Sequence, residues 1–185
     1  SFAKPPRLPT LKATAQDGKV VLTWDDIAEN SIDPIYYKDF EGYLIYRSTD
    51  PSFNSIKTIT DTYGNPIYWE PIAQFDLKNG LYGPHPLAVG ETGAHFNMGS
   101  DSGLKYYYVD KNVDNGRTYY YAIVAYDYGA PDIGPGIAPS ENTTVVDIDE
   151  YDNIRGLGKN VGIAVPHADA AGYNDPSIVI DSIYN

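Results

Sequence analysis

The 185-residue chain contains no cysteine, which excludes disulfide staples and thiolate metal sites alike. No apolar run approaches the ~20 residues that a membrane-spanning helix requires. Helical patterning is missing as well, since no segment repeats its apolar residues with a convincing 3.6-residue period. Basic charge is scarce. Thirteen lysines and arginines stand against 25 aspartates and glutamates, for a formal net charge of −12. That balance opposes nucleic-acid binding, which needs a basic footprint, and gives an anionic membrane nothing to hold, so neither partner is expected. It favours solubility, divalent cations or an acidic outer surface. Catalytic signatures are also lacking. There is no G-x-S-x-G elbow and no Walker loop. In "GLGKNVG" at 156–162 a valine, Val161, stands where a nucleotide loop needs glycine. His85, His95 and His167 lack the paired spacing of a zinc helix. Nothing nominates a pair of glycosidase carboxylates, and the expectation is a protein that is not an enzyme.

What the chain has in quantity is tyrosine, eighteen of them, with seventeen glycines and fourteen prolines. Those residues belong to strands and turns. "PRLPTLKATAQDGKVVLTWDD" reads as two strands joined at Asp17-Gly18, with Val20, Leu22 and Trp24 alternating onto one face. "DFEGYLIYRS" is a third strand, with Tyr43 and Ile45 on one side and Leu44 and Tyr46 on the other. "LKYYYVD" and "NGRTYYYAIVAYD" pair across a turn at 114–116, and "NTTVVDID" closes the series. Strands punctuated by turns, without helices, predict an all-β sandwich.

The succession "GKVVLTW", "FEGYLIYRS", "VDNGRTYYYAIVAYD" resembles strands B, C and F of fibronectin type III domains. With "WDDIAENSIDP" and "TDTYGNPIY" it is similar to the modules of large secreted or surface proteins of Bacteroidetes-related bacteria. The resemblance implies an immunoglobulin-like sandwich over 6–149 and an extracellular or cell-surface location. It implies core positions for Trp24 and Tyr43, and a Tyr119 hydroxyl bonded back to the backbone near 113–115. On that register Tyr121, Ile123 and Ala125 face inward. Tyr120, Ala122, Val124 and Tyr126 lie on the outer face beside Leu44 and Tyr46.

Two segments depart from the plain family pattern. A C–E insertion at 49–104 is far longer than the ~4–6 residues of an ordinary connection, and an extended tail occupies 150–185 with apolar runs "VGIAV" and "SIVIDSIY". An outer sheet face that is apolar needs cover. Three candidates offer it: the insertion folding back through Tyr68, Trp69 and Phe75, the tail of this or a neighbouring molecule, or a glycan stacked on tyrosines. The expected contact residues are therefore Leu44, Tyr46, Tyr120, Val124 and Tyr126 on the sheet, with Ile178, Ile180 and Ile183 in the tail. A strand such as 177–184 needs a partner for its backbone.

The loop "WDDIAENSIDP" gathers Asp25, Asp26, Glu29 and Asp33, a candidate calcium site of hard oxygens without the ligand order of a calcium hand. "DIDEYDN" holds further carboxylates, which strand alternation would separate. Asn142 opens an N-T-T glycosylation acceptor. The functional expectation is a non-catalytic extracellular structural or adhesive module, in a multi-module surface protein or a self-associating filament-type subunit. Its partners would be copies of itself or neighbouring modules. The alternative is a carbohydrate-binding module that stacks polysaccharide on its surface aromatics, Trp69 included.

Overall fold

The structure, a computed structural model, describes residues 4–35, 37–56, 58–60, 63–64, 66–88, 93–144, 146–170 and 172. The expected tail contacts Ile178, Ile180 and Ile183 lie outside the described residues. The strands in chain order are β1 (Leu11–Gln16), β2 (Lys19–Trp24), β3 (Phe40–Ser48), β4 (Thr58–Thr60), β5 (Pro66–Trp69), β6 (Ala73–Asp76) and β7 (Pro84–Ala88). Then follow β8 (His95–Asn97), β9 (Tyr107–Asp110), β10 (Tyr119–Asp127), β11 (Val146–Ile148), β12 (Ile154–Leu157) and β13 (Val161–Ala164). A single 3-10 turn, Ile27–Asn30, follows β2. No helix among the described residues is long and apolar enough to cross a membrane.

Two antiparallel sheets build an all-β sandwich, one ordered β1-β2-β9 and the other β13-β10-β3-β6. Period-two alternation decides what lies between them. Val20, Leu22 and Trp24 of β2 meet Tyr43 and Ile45 of β3 and Tyr121, Ile123 and Ala125 of β10 in one buried cluster. Trp24 packs 6.0 Å from the ring of Phe75 at 24° and 6.0 Å from that of Tyr43. The Tyr119 hydroxyl accepts the Asp114 N–H at 2.8 Å, tying the start of β10 to the turn before it.

The opposite face of β3 and β10 carries a second core. Leu44, Tyr46, Ala122, Val124 and Tyr126 are buried under Phe53, Ile56, Phe96 and Met98 of the 49–104 insertion. The molecule thus has three layers, with the central sheet apolar on both sides. The insertion contributes two small hairpins, β4-β5 and β7-β8, and is pinned by polar bonds as well as by packing. The Tyr126 hydroxyl donates to the Met98 carbonyl at 2.7 Å and accepts from Gln74 Nε2 at 2.9 Å. Buried Asp76 accepts the backbone N–H groups of Asp101 and Ser102 at 2.8 and 3.0 Å. His85, 1% exposed, accepts the Leu87 N–H on Nδ1 at 3.1 Å and so donates from Nε2 to the Tyr128 carbonyl at 2.9 Å. Gly42 lies opposite Tyr126 in the sheet, where a methyl group would collide with the Phe75 carbonyl and the Tyr126 ring.

Three expectations are corrected by this arrangement. The strands on either side of the turn at 114–116 do not pair with each other: β9 pairs with β2, and β10 belongs to the other sheet. Phe75 does not cover the outer face: it sits across from Tyr43 in the β3-β6 register, and so shares its inward side and packs on Trp24. Nor does "NTTVVDID" supply the strand beside β10. Its residues 146–148 pair with β12, while β13 lies against β10. Two asparagines explain the change. Asn142 exchanges backbone and side-chain bonds with Ala125, at 3.1 and 2.9 Å, and Asn160 does so with Ile123, its carbonyl accepting at 2.9 Å and its Nδ2 donating at 3.1 Å. Between them the chain leaves the sheet edge, forms the β11-β12 hairpin and returns. The sandwich therefore extends past the expected boundary at 149 to Ala164.

The backbone enters this sandwich at one pole and leaves at the other. Lys4 N bonds Asp33 and Arg7 N bonds Ser31, at 2.7 and 2.6 Å, in the loop after β2. At the far pole Gly116 N bonds the Pro166 carbonyl at 2.8 Å, and His167 N bonds that of Gln16 at 3.3 Å, beside the β1-β2 turn.

Candidate functional site: an aromatic cleft beside Glu141

The expected contact residues of the sheet are together, but they are not on the surface. Val124 and Tyr126 are 0% exposed, Tyr46 2% and Leu44 4%, and Tyr120 is half-buried. They form the floor of the second core, beneath the insertion. Their role as direct contacts is corrected on that ground, because each buried side chain of this size contributes ~1.5–3 kcal/mol by staying there.

The insertion leaves an opening beside Trp69. Trp69 ends β5, opposite Thr58, and its indole lies 5.7 Å from the Phe53 ring at 17° and 5.5 Å from the Tyr46 ring at 82°. Phe53 holds an unusual backbone, φ +57, which bulky residues rarely adopt. Asp50 enforces it: its carbonyl accepts Phe53 N at 3.2 Å, and its carboxylate accepts Ser52 N at 3.0 Å and Ser55 N at 2.8 Å. Beside the indole a cleft of about 360 Å³ is lined by Tyr46, Trp69, Val124, Glu141, Thr143 and Thr144 among others. Glu141 accepts the Tyr46 hydroxyl at 3.0 Å. Burial raises its carboxyl above the ordinary value, and the Tyr46 bond only partly opposes that. A half-buried indole, a carboxyl group and two threonine hydroxyls around one concavity can stack a flat apolar face and orient hydroxyl groups.

The acidic loop after β2 does not assemble a cation site. Glu29 turns to the end of the sandwich and accepts the Tyr106 hydroxyl at 2.9 Å and that of Tyr43 at 3.1 Å. Asp33 accepts Lys4 N and Ile35 N, both at 2.7 Å, and Asp25 accepts Thr10 N at 3.2 Å. Asp26 stands at the start of the 3-10 turn without capping it. Three of the four carboxylates, Asp25, Glu29 and Asp33, thus have separate structural duties, and no group of three or more His, Asp or Glu side chains among the described residues is placed to hold a metal ion. Asn142, the glycosylation acceptor, is 8% exposed, with its Nδ2 donating to the Pro6 carbonyl at 2.6 Å and its Oδ1 held by Ala125 N. A glycan cannot be attached there without opening the sheet edge.

A second concavity, about 380 Å³, lies over Arg47 and Asp110. Asp110, 2% exposed, accepts Arg47 Nη1 on both oxygens at 3.1 and 2.9 Å and the Tyr121 hydroxyl at 2.8 Å. Burial works against the guanidinium charge, but the Asp110 bond outweighs it and the Arg47 pKa rises. This is a structural ion pair with its lone pairs filled. Residue patterns could not have indicated Glu141, Thr143 or Thr144 beside Trp69, because 72 residues separate the indole from the carboxylate. The only local signal is the "STDPSFNS" turn that fixes Phe53. Compared with protein-family models, curated proteins and solved structures, the chain matches none.

Proposed function

We propose that the chain is a non-catalytic extracellular structural or adhesive module of fibronectin type III-like build, joined end to end with neighbouring modules or with copies of itself. The observation that carries this reading is the opposed placement of entry and exit. Residues 4–7 are bonded at the pole of the loop after β2, and residues 166–167 at the pole of the β1-β2 turn. Modules built this way extend a chain linearly instead of folding it back. The doubly covered central sheet supports the same role, since a sheet packed on both faces resists shear and local opening more than one with a wet side. Sedimentation velocity across a concentration series, with electron microscopy of the heavier species, tests it. End-to-end rods are expected; one species of monomer mass at every concentration would overturn self-association.

A second reading rests on the Trp69 cleft. An indole beside Glu141, Thr143 and Thr144 suits a sugar ring of a polysaccharide. Trp24 is buried, so a tryptophan fluorescence change on adding polysaccharide, lost in Trp69→Ala, is expected from this reading. No change with neutral or acidic polysaccharides would end it.

A further inference from the structure

The two outer faces of the sandwich differ in kind. One lies beneath the insertion; the other, on β1-β2-β9, has no layer of this chain assigned to it among the described residues. Register and alternation fix which residues point outward on this side, although two of them, Val21 and Gln16, are themselves buried, 2% and 5% exposed. Lys12 pairs with Thr23, Thr14 with Val21 and Gln16 with Lys19, while Val21 pairs with Val109 and Thr23 with Tyr107. All point away from the core that Leu11, Val20, Leu22 and Trp24 occupy. Lys111 directly follows β9, and Lys105 lies 6.0 Å over the Tyr107 ring and 5.7 Å over that of Phe75. In a chain of net charge −12, no position of this face on the three strands is acidic. β9 is also the last strand of its sheet, and a concavity of about 480 Å³ runs along it between Lys105, Lys111, Tyr107 and Phe75.

The complementary feature stands on the same molecule. The β11-β12 hairpin carries exposed Asp147, Glu150 and Asp152, with Tyr151 at its turn 77% exposed. Asp149 folds the turn tightly by accepting Tyr151 N at 2.9 Å and Asn153 N at 2.8 Å. We propose that the lysine face of one copy receives the β11-β12 turn of a second copy, with Tyr151 in the concavity along β9 and the flanking carboxylates against Lys105 and Lys111. This rests on the reading of the chain as a self-associating module and adds a lateral contact to the end-to-end one. A face meeting a different patch on the next copy head to tail is heterologous and builds rings or open filaments. Being built of exposed charges, it weakens as the screening length falls from ~10 Å at 0.1 M salt to ~3 Å at 1 M.

The test uses full-length chain in light and heavy isotope forms, mixed and treated with a carbodiimide. Mixed-isotope peptides joining Lys105 or Lys111 to Asp147 or Glu150 are expected and should disappear in high salt. Lys105→Glu/Lys111→Glu and Asp147→Lys/Glu150→Lys should each lower the association constant tenfold or more, and mixing the two variants should restore it. All these residues are surface positions, and a melt of each variant verifies folding. Association that proceeds without these crosslinks and is indifferent to both variants overturns the lateral contact and leaves the end-to-end reading standing. Crosslinks without rods in the microscope do the reverse. If the lysine variant loses only retention on a sulfated polysaccharide, the face serves a glycan and the proposal fails.

Discussion

The two sides of the central sheet are buried equally and by different means. On its inner side a second sheet supplies the cover, and regular alternation delivers Val20, Leu22 and Trp24 to Tyr43, Ile45 and Tyr121. On its outer side a mostly irregular insertion delivers single residues, Phe53, Ile56, Phe96 and Met98, to Leu44, Tyr46, Val124 and Tyr126. The tyrosines on both sides solve the same problem of a buried hydroxyl. Tyr121 donates to Asp110 and Tyr43 to Glu29 on the inside; Tyr126 donates to Met98 and Tyr46 to Glu141 on the outside. A cover need not be a regular sheet to act as core, provided each hydroxyl beneath it finds an acceptor.

The comparison is tested most severely by truncating one tyrosine from each side. Tyr126→Ala and Tyr43→Ala should each cost ~3–5 kcal/mol in urea unfolding. A cost below ~1 kcal/mol for Tyr126→Ala alone would make the outer layer a loose flap. A smaller loss is expected where Asn142 bonds β10. Asn142→Ala removes the acceptor of Ala125 N and the donor to Pro6, and should cost ~1–3 kcal/mol in the same measurement. Conversely, Asn142 should stay unmodified by an N-glycosylation system acting on the folded chain.

The pH dependence gives the smallest and most local signal. Burial foremost raises Glu41 to about 7 and Asp39 to about 7. Glu41, 1% exposed, has one oxygen bonded by Asn79 of the insertion at 2.8 Å and the other without a partner. Both groups bind protons more tightly folded than unfolded, so their contribution is full below the ordinary carboxylate values and is lost as pH rises through about 7. His85 is lowered by burial; its contribution is complete above its ordinary value of 6.5 and is lost on acidification. From pH 6.5 to 8, therefore, the carboxylates dominate, and the melting temperature should fall by a few degrees. Glu41→Gln should flatten that fall. A melting temperature that rises across this window contradicts the assignment.

How much of this was legible in the residues follows from range. The inner core could be read because its period is local: "KVVLTW" and "YYYAIVAY" declare their faces within a few residues. The apolar outer face of β3 and β10 was legible by the same alternation, and so was its need for a cover. The covering residues were not, apart from Trp69, because Phe53, Phe96 and Met98 sit in turns and short pieces without any period. Phe75 was misplaced for a related reason. Its inward direction follows from register with Tyr43 across 32 residues, not from its neighbours. The strand closing the sheet was misread because "NTTVVDID" has the alternation of an edge strand, whereas Asn142 and Asn160 end the pairing through side-chain amides, a tertiary effect invisible to propensity. The acidic loop after β2 resembled a ligand set only until Lys4, Tyr43, Tyr106 and Ile35 claimed its oxygens.

The most direct measurement of the layered sheet is tyrosine nitration of the native chain with tetranitromethane, read peptide by peptide in a mass spectrometer. Tyr37, Tyr82 and Tyr151, 74%, 67% and 77% exposed, should react quickly, while Tyr46 and Tyr126 beneath the insertion should resist as fully as Tyr43 and Tyr121 between the sheets. Nitration of Tyr46 and Tyr126 at the rate of Tyr151, with Tyr43 and Tyr121 still protected, would mean that the outer face is open and that the insertion does not cover it.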